Sequence, residues 1–290
     1  MIAIRGLTKR YRDVLAVDEV SLEVPSGSVC GLLGRNGAGK TTTFKCLLGF
    51  AQPERGEVRF NGVPRTPATF ASLGYVPERP AHYGWLTVAQ HLEFARRTQP
   101  SYDAAFASEL LATFRLDPRK KSSRLSKGQQ TALSLILALA HRPQILILDE
   151  PASGLDPLMQ RVVLDLLIDA GTSGATILLS SHQIGQIDRA ADRVAIMRDG
   201  KIVLAGVLDD LREAARIVEA TFIGSVPDLG GLERTMRVEQ IGTSIRVHAN
   251  SDAAAVTARL GALGAAGVRV VDRSLEDVFL DAVGDGEGAV

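Results

Sequence analysis

Val29-Cys-Gly-Leu-Leu33-Gly34-Arg35-Asn36-Gly37-Ala38-Gly39-Lys40-Thr41 joins a short β-rich apolar run to a helix-compatible stretch, Lys40 to Leu48, through a loop that fits G-x-x-x-x-G-K-[ST]. Its glycines let backbone N–H groups turn inward, so that Gly34, Arg35, Asn36, Gly37, Ala38 and Gly39, with the start of the following helix, form a cradle for phosphate oxygens. In such a cradle Lys40 reaches the β and γ phosphates, the Thr41 hydroxyl ligates Mg2+, and Thr42 adds a phosphate contact. Average residue frequencies place such a string by accident in roughly one chain in a hundred of this length.

The surrounding chain supplies the scaffold such a loop needs. Val20 to Val24 is β-rich, and Ile145-Leu-Ile-Leu148 and Thr176-Ile-Leu-Leu-Ser180 are continuous apolar runs of the kind buried on both faces of a parallel sheet. A helical pattern, Leu158 to Ala170, lies between the last two. This alternation predicts an α/β core with right-handed crossovers and ligands beyond the carboxyl ends of its strands. One strand ends in Asp149-Glu150: Asp149 is placed to hold Mg2+ directly or through water. Glu150 stands where a water could attack, as a general base of the kind that contributes about 10² to 10⁴ in rate.

Further motifs narrow the family. Leu125-Ser126-Lys127-Gly128-Gln129 opens an apolar helix, Ser153-Gly-Leu-Asp156 follows the acidic pair, and His182 follows Ser180-Ser181. Over residues 1 to about 212 the chain resembles the nucleotide-binding subunit of an ATP-binding-cassette (ABC) transporter. The resemblance implies a P-loop NTPase core carrying an antiparallel β subdomain and an inserted helical subdomain. It also implies that Leu125–Gln129 is the counterpart of the LSGGQ signature, whose helix N-terminus meets the γ phosphate of an opposing subunit's ATP. Ser126, Gly128 and Gln129 would then be nucleotide-binding. Lys127 departs from the usual Gly and is expected to project to solvent or to the partner. Ser153–Asp156 corresponds to the D-loop, His182 to the switch histidine on the γ phosphate, and Tyr11 to the aromatic stacked on adenine. Glu78 stands where the family commonly has the Q-loop glutamine. Its carboxylate is expected to ligate Mg2+ and to tighten metal binding.

From about residue 79 to 142 the pattern is mainly helical, broken at Pro100-Ser101, and reads as the inserted subdomain. Within it His82-Tyr-Gly-Trp85 falls where the family receives a permease's coupling helix, and Trp85 fits either that role or a core position. Residues 213–283 read as a small α+β domain: strands at Ile217–Phe222, Met236–Ile241, Ser244–Val247 and Val268–Val271, with a helix at Asp252–Leu263. Residues 284–290 read as a frayed tail. The closing run Ser274-Leu-Glu-Asp-Val-Phe-Leu280 fits an amphipathic helix with Leu275, Val278 and Phe279 inward, and resembles the end of ATPase subunits of drug- and polymer-exporting cassettes.

Composition excludes several classes. With 290 residues, 46% hydrophobic and 23% charged, the chain can bury a large core, and 33 basic against 33 acidic residues give no reason to expect a nucleic-acid partner. The longest apolar run, Ala132 to Ala140, is far below the roughly 20 residues of a membrane span. No leader pattern opens the chain, and Cys30 and Cys46 fit buried small hydrophobes in a reducing compartment. The expectation is therefore a peripheral ATPase on the cytoplasmic face of the cell membrane. It would use ATP and Mg2+, pair with a second cassette as homodimer or heterodimer, and drive a permease encoded separately. A soluble ABC ATPase acting on nucleic acid or ribosomes is the alternative. It is opposed by the short helical insert, which lacks the sustained heptads of a coiled coil, and by the single cassette. A GTPase is opposed by the absence of Asn-Lys-x-Asp.

Overall fold

The computed structural model describes residues 1–214, 216–229, 231–232, 236–249 and 253–283. The expected tail at 284–290 and the expected helix start at Asp252 lie outside the described residues. The chain divides into two compact units, Met1–Ala205 and Gly206–Val290.

The first unit is built on two sheets. A six-stranded sheet runs β10-β9-β3-β8-β7-β6 (β10 Lys201–Val207, β9 Arg193–Arg198, β3 Val29–Leu33, β8 Thr176–Ser181, β7 Ile145–Asp149, β6 Leu73–Val76). Pairings β9/β3, β3/β8, β8/β7 and β7/β6 are all parallel. Every residue of β3, β7 and β8 is buried, as their unbroken apolar runs require of strands covered on both faces. A four-stranded antiparallel sheet, β2-β1-β4-β5 (β1 Ile2–Tyr11, β2 Val14–Val24, β4 Arg55–Phe60, β5 Val63–Pro64), packs beside it. Ile2, Ile4, Leu7, Val20 and Phe60 of this sheet share one core with Leu32, Phe44, Ile147 and Leu178. Parallel strands need long crossovers, and α1 (Lys40–Leu48), α5 (Pro157–Thr172) and α6 (Ile184–Ala190) provide them.

Between β6 and β7 the chain makes α2 (Val88–Thr98), α3 (Ala104–Thr113) and α4 (Lys127–Leu139). Each start is written in the sequence. Thr87 and Ser126 form capping boxes with Gln90 and Gln129, and Asp103 accepts from the Phe106 N–H at 2.9 Å just past the break at Pro100.

The second unit holds α7 (Leu208–Ala214), an antiparallel sheet β12-β13-β11-β14 (β12 Val238–Ile241, β13 Ser244–His248, β11 Ile217–Thr221, β14 Gly267–Val271), α8 (Ala253–Ala262) and α9 (Leu275–Val283). Val218, Ala220, Ile245 and Val247 bury one sheet face with Val256 and Leu260 of α8. Along α9, Leu275 and Val278 are buried and Phe279 is half-buried.

Candidate active site

β3 delivers the chain at Leu33 into the glycine loop, which lies over the start of α1. Gly39 has φ 107°, and a Cβ there would stand 2.4 Å from the Ala16 carbonyl, so only glycine lets the loop lie against β2. The turn between β9 and β10 holds it from the other side: the Gly200 N–H donates to Ala38 O at 3.0 Å, and the Asp18 N–H donates to Gly200 O at 2.8 Å. Helices α2, α3, α4 and α5 all begin with a side-chain cap, whereas α1 begins at Gly39, which has none to give. The first-turn amides of α1 are thus available to an anion seated in the loop.

Lys40 is buried, and its ammonium donates to Gly34 O at 2.7 Å and to Arg35 O at 3.4 Å. Burial pulls its pKa down, while Glu150, Asp149 and Glu78 push it back up. Lys40 and the three acids line one cleft, as the sequence order alone could not guarantee.

Asp149 and Glu150 are held apart in role by one hydroxyl. Ser180, in register with Asp149 on the adjacent strand, donates its Oγ hydrogen to Asp149 Oδ1 at 2.6 Å and accepts the Glu150 N–H at 3.0 Å. That fixes Asp149 with Oδ2 buried and without a hydrogen-bond partner among the described residues. Glu150 turns away at φ 52°, a left-handed conformation that costs a non-glycine residue on the order of 1–3 kcal/mol and is held by its neighbours. Its Oε2 lies 2.8 Å from His182 Nδ1. A carboxylate can only accept, so Nδ1 carries the proton and the glutamate is aimed by the histidine.

A cleft of about 610 Å³ brings together residues 36–42, Glu78, Asp149, Glu150 and His182. Gly34 and Arg35 lie behind the loop, bonded to Lys40. The cleft also takes in residues the motif reading had not singled out, among them Leu15, Asp199 and Gly200, with Ser153 of the D-loop counterpart. Ser180 was missed as well: it lies one residue before the end of β8, and its partners come only through the register with β7. Tyr11, at the end of β1, is exposed, with the Lys9 ammonium 5.1 Å from its ring centre; it pairs with Val14, whose strand supplies the cleft wall, but does not itself line it.

Ser126, Gly128 and Gln129 stand outside this cleft. Ser126 caps α4, its Oγ accepting the Gln129 N–H at 3.2 Å. The Gln129 side-chain Oε1 accepts in return from the Ser126 N–H at 3.2 Å and from Lys120 Nζ at 3.1 Å. Gln129 is therefore committed to the cap. Gly128 packs on the Ser153–Asp156 loop: a Cβ there would lie 3.2 Å from Gly154 O. Asp156 caps α5, accepting from the Leu158 and Met159 N–H groups at 3.0 Å each.

The donors suit a hard divalent cation. Among the described residues no group of three or more His, Cys, Asp or Glu forms a ready-made metal cage. The orphaned Asp149 Oδ2, on the same cleft as the Thr41 hydroxyl and Glu78, fits Mg2+, which keeps most of its ligands from water and phosphate. An anion-binding loop, an open metal carboxylate and an aimed second carboxylate together suit hydrolysis of a nucleoside triphosphate.

Trp85 is 69% exposed and Tyr83 54%, their ring centres 5.2 Å apart, so Trp85 is not a core residue.

Comparison with known proteins agrees with this chemistry. The family described as ABC transporter matches residues 17–153. The chain is 35% identical over 219 residues to the uncharacterised ABC transporter ATP-binding protein YhaQ of Bacillus subtilis (strain 168), covering 74% of each protein. It is 33% identical over 299 residues to the Nod factor export ATP-binding protein I of Rhizobium meliloti, covering 98% of this chain and 88% of that one. Among solved structures, an ATP-binding subunit of an ABC transporter superposes with a TM-score of 0.68 at 31% identity, covering 73% of this chain and 92% of the other.

Proposed function

The chain belongs to the ABC transporter family of ATP-binding proteins, and on that premise we propose that it is a Mg2+-dependent ATPase whose two-cassette closure drives a separately encoded membrane permease, in the direction of export. The observation that carries this reading is the division of the nucleotide machinery. The cleft holds the phosphate loop, Asp149, Glu150 and His182, while the exposed Ser126 and the half-buried Gly128 sit at a helix start outside it. One chain has half of two sites. A second cassette placed head to tail completes both, each ATP lying between one chain's loop and the other chain's α4.

In that arrangement the loop amides and Lys40 bind the phosphates, and Tyr11 and the β2 wall receive the base. Thr41, Asp149 through Oδ2, and Glu78 would hold Mg2+, which neutralises phosphate charge and polarises the γ-phosphoryl group. Glu150 Oε accepts the proton of the attacking water, and His182 keeps that carboxylate turned toward it. Closure satisfies phosphate charge that one chain leaves exposed, hydrolysis removes the satisfaction, and the difference in affinity for ATP and ADP between open and closed pairs supplies the work.

The permease is inferred from the family and from sequence. No helix among the described residues is long and apolar enough to cross a membrane. The exposed Tyr83–Trp85 pair, at the entrance to the helical insert, offers the aromatic anchor that interfaces favour. Peripheral attachment at the cytoplasmic face follows from that pairing. Export is favoured by the closing segment Ser274–Leu280 and by a resemblance to the Rhizobium meliloti protein that extends over both units.

Affinity capture from detergent-solubilised native membranes, with ATP and Mg2+ present, tests the assignment. Recovery of a polytopic membrane protein is the expected result, and its own sequence would narrow cargo and direction. Recovery of ribosomes or nucleic acid instead would overturn the transport role.

A further inference from the structure

Lys127, the third residue of the 125–129 motif, is one of two departures from the family's usual pattern, beside Glu78, and the structure gives it a place. Lys127 occupies the first position of α4, directly after the Ser126 cap. A cation in the first turn opposes the helix dipole, so electrostatics within the helix do not favour it there. Packing does. Gly154, in the loop that follows Glu150, has φ 77°, and a Cβ built on it would meet the aliphatic stem of Lys127: Cδ at 3.1 Å, Cε at 3.3 Å and Cγ at 3.5 Å. Gly128 approaches the same loop from beside it, its Cβ direction 3.2 Å from Gly154 O and 3.3 Å from Leu155 Cδ2. The loop's other ties are hydrogen bonds, among them Gln160 Nε2 donating to Leu155 O at 3.1 Å from α5. The Ser153 N–H donates to Glu150 O at 3.0 Å and the Leu155 N–H to Ala152 O at 3.4 Å, before Asp156 caps α5.

We propose that Lys127 is a positioning residue: its stem lies across Gly154 as a brace that fixes the 153–156 loop, and through it Ser153 and Glu150, to the start of α4. The inference rests on the proposed function in one respect, that α4 serves the partner's ATP while Glu150 serves the chain's own. Under that arrangement the brace is a mechanical link between the two ATP sites, and contact of α4 with one nucleotide is felt at the carboxylate beside the other. A stem supplied by lysine keeps its charged end in water while its methylenes cover the loop. The part that acts is therefore the methylene chain, and the ammonium serves solubility.

The test compares Lys127→Ala with Lys127→Met, which retains an unbranched stem and removes the charge. Two readouts are taken on the full chain: amide hydrogen exchange of the peptide spanning residues 152–157 without nucleotide, and steady-state ATPase kinetics with Mg2+. The alanine variant is expected to raise exchange in the loop several-fold. It should also lower kcat about 3- to 10-fold with KM within about twofold, because the residues lining the cleft and Ser126 and Gly128 at the start of α4 are all unchanged. The methionine variant is expected to match the parent in both. An alanine variant indistinguishable from the parent, or a methionine variant as impaired as alanine, overturns the brace. Loop exchange that follows the expected pattern in a protein with no ATPase activity would uphold the brace and overturn the ATPase reading instead.

Discussion

At the scale of single residues the site turns on Ser180. Among the described residues it is the one side chain bonded to both the Asp149 carboxylate and the Glu150 N–H. Replacing it with alanine leaves a buried carboxylate oxygen and a part-buried N–H without this partner, at a cost of about 1–3 kcal/mol for each that no water satisfies. Ser180→Ala is expected to lower kcat about tenfold with little change in ATP affinity, measured by steady-state kinetics and by calorimetric titration. Glu78 makes a separable prediction. Its carboxylate adds a charge that glutamine would lack, so Glu78→Gln should raise the Mg2+ concentration for half-maximal ATPase several-fold; an unchanged Mg2+ dependence would remove Glu78 from the metal. Gly39, Lys40, Asp149 and Glu150, picked out in sequence by type and spacing, line one cleft in the structure. Ser180 acts through a register between strands 31 positions apart in the chain, and no local pattern carries that.

Among the elements, the helical insert shows how much of a fold local signals encode. Thr87, Asp103 and Ser126 mark the starts of α2, α3 and α4, and Pro100 marks the break between the first two. What they do not encode is how the insert is held. His82 reaches from the 79–87 segment into α4, its Nε2 lying 2.9 Å from Gln130 O and 3.1 Å from Ser134 Oγ, with the His91 ring 5.4 Å away edge-on. Burial pushes the His82 pKa down, outweighing the Gln130 carbonyl, which raises it, and His91 lowers it further. A histidine whose folded pKa is lowered contributes stability that is present above its ordinary value of about 6.5 and is lost as pH falls toward the folded value. The insert should therefore be less resistant to urea at pH 5.5 than at pH 7.5, followed by fluorescence of Trp85, the single tryptophan in the chain. Burial lowers His141 in the same direction. The variant His82→Gln, which keeps a donor for Gln130 O, should flatten part of that slope; an unaltered slope would show that His82 does not carry it. Trp85 itself fitted a core or a surface position in sequence, since one aromatic without periodic neighbours gives no face, and only the packed structure exposes it.

Across the whole molecule, composition and alternation announced an α/β core with an appended α+β unit, because continuous apolar strands and 3.6-residue patterns survive any detail of packing. Of the antiparallel sheet β2-β1-β4-β5 only the Val20–Val24 end of β2 was legible from the residues, and the rest came through the family resemblance: β1, with Lys9, Arg10 and the glycine at position 6, interrupts the alternation that would announce a strand. The separation of Ser126 and Gly128 from the cleft was likewise invisible along the chain, and under the proposed function it is the reason a second cassette is needed. The most direct measurement is the mass of the Glu150→Gln protein by size-exclusion chromatography with light scattering, with ATP and Mg2+ and then with ADP. Loss of the base should block hydrolysis while leaving the phosphate loop, Lys40 and α4 intact, so a species of twice the single-chain mass is expected with ATP and the single-chain mass with ADP. A protein that binds ATP yet stays a single chain, or that still hydrolyses ATP at the parent rate, would contradict a site shared between two cassettes with Glu150 as its base.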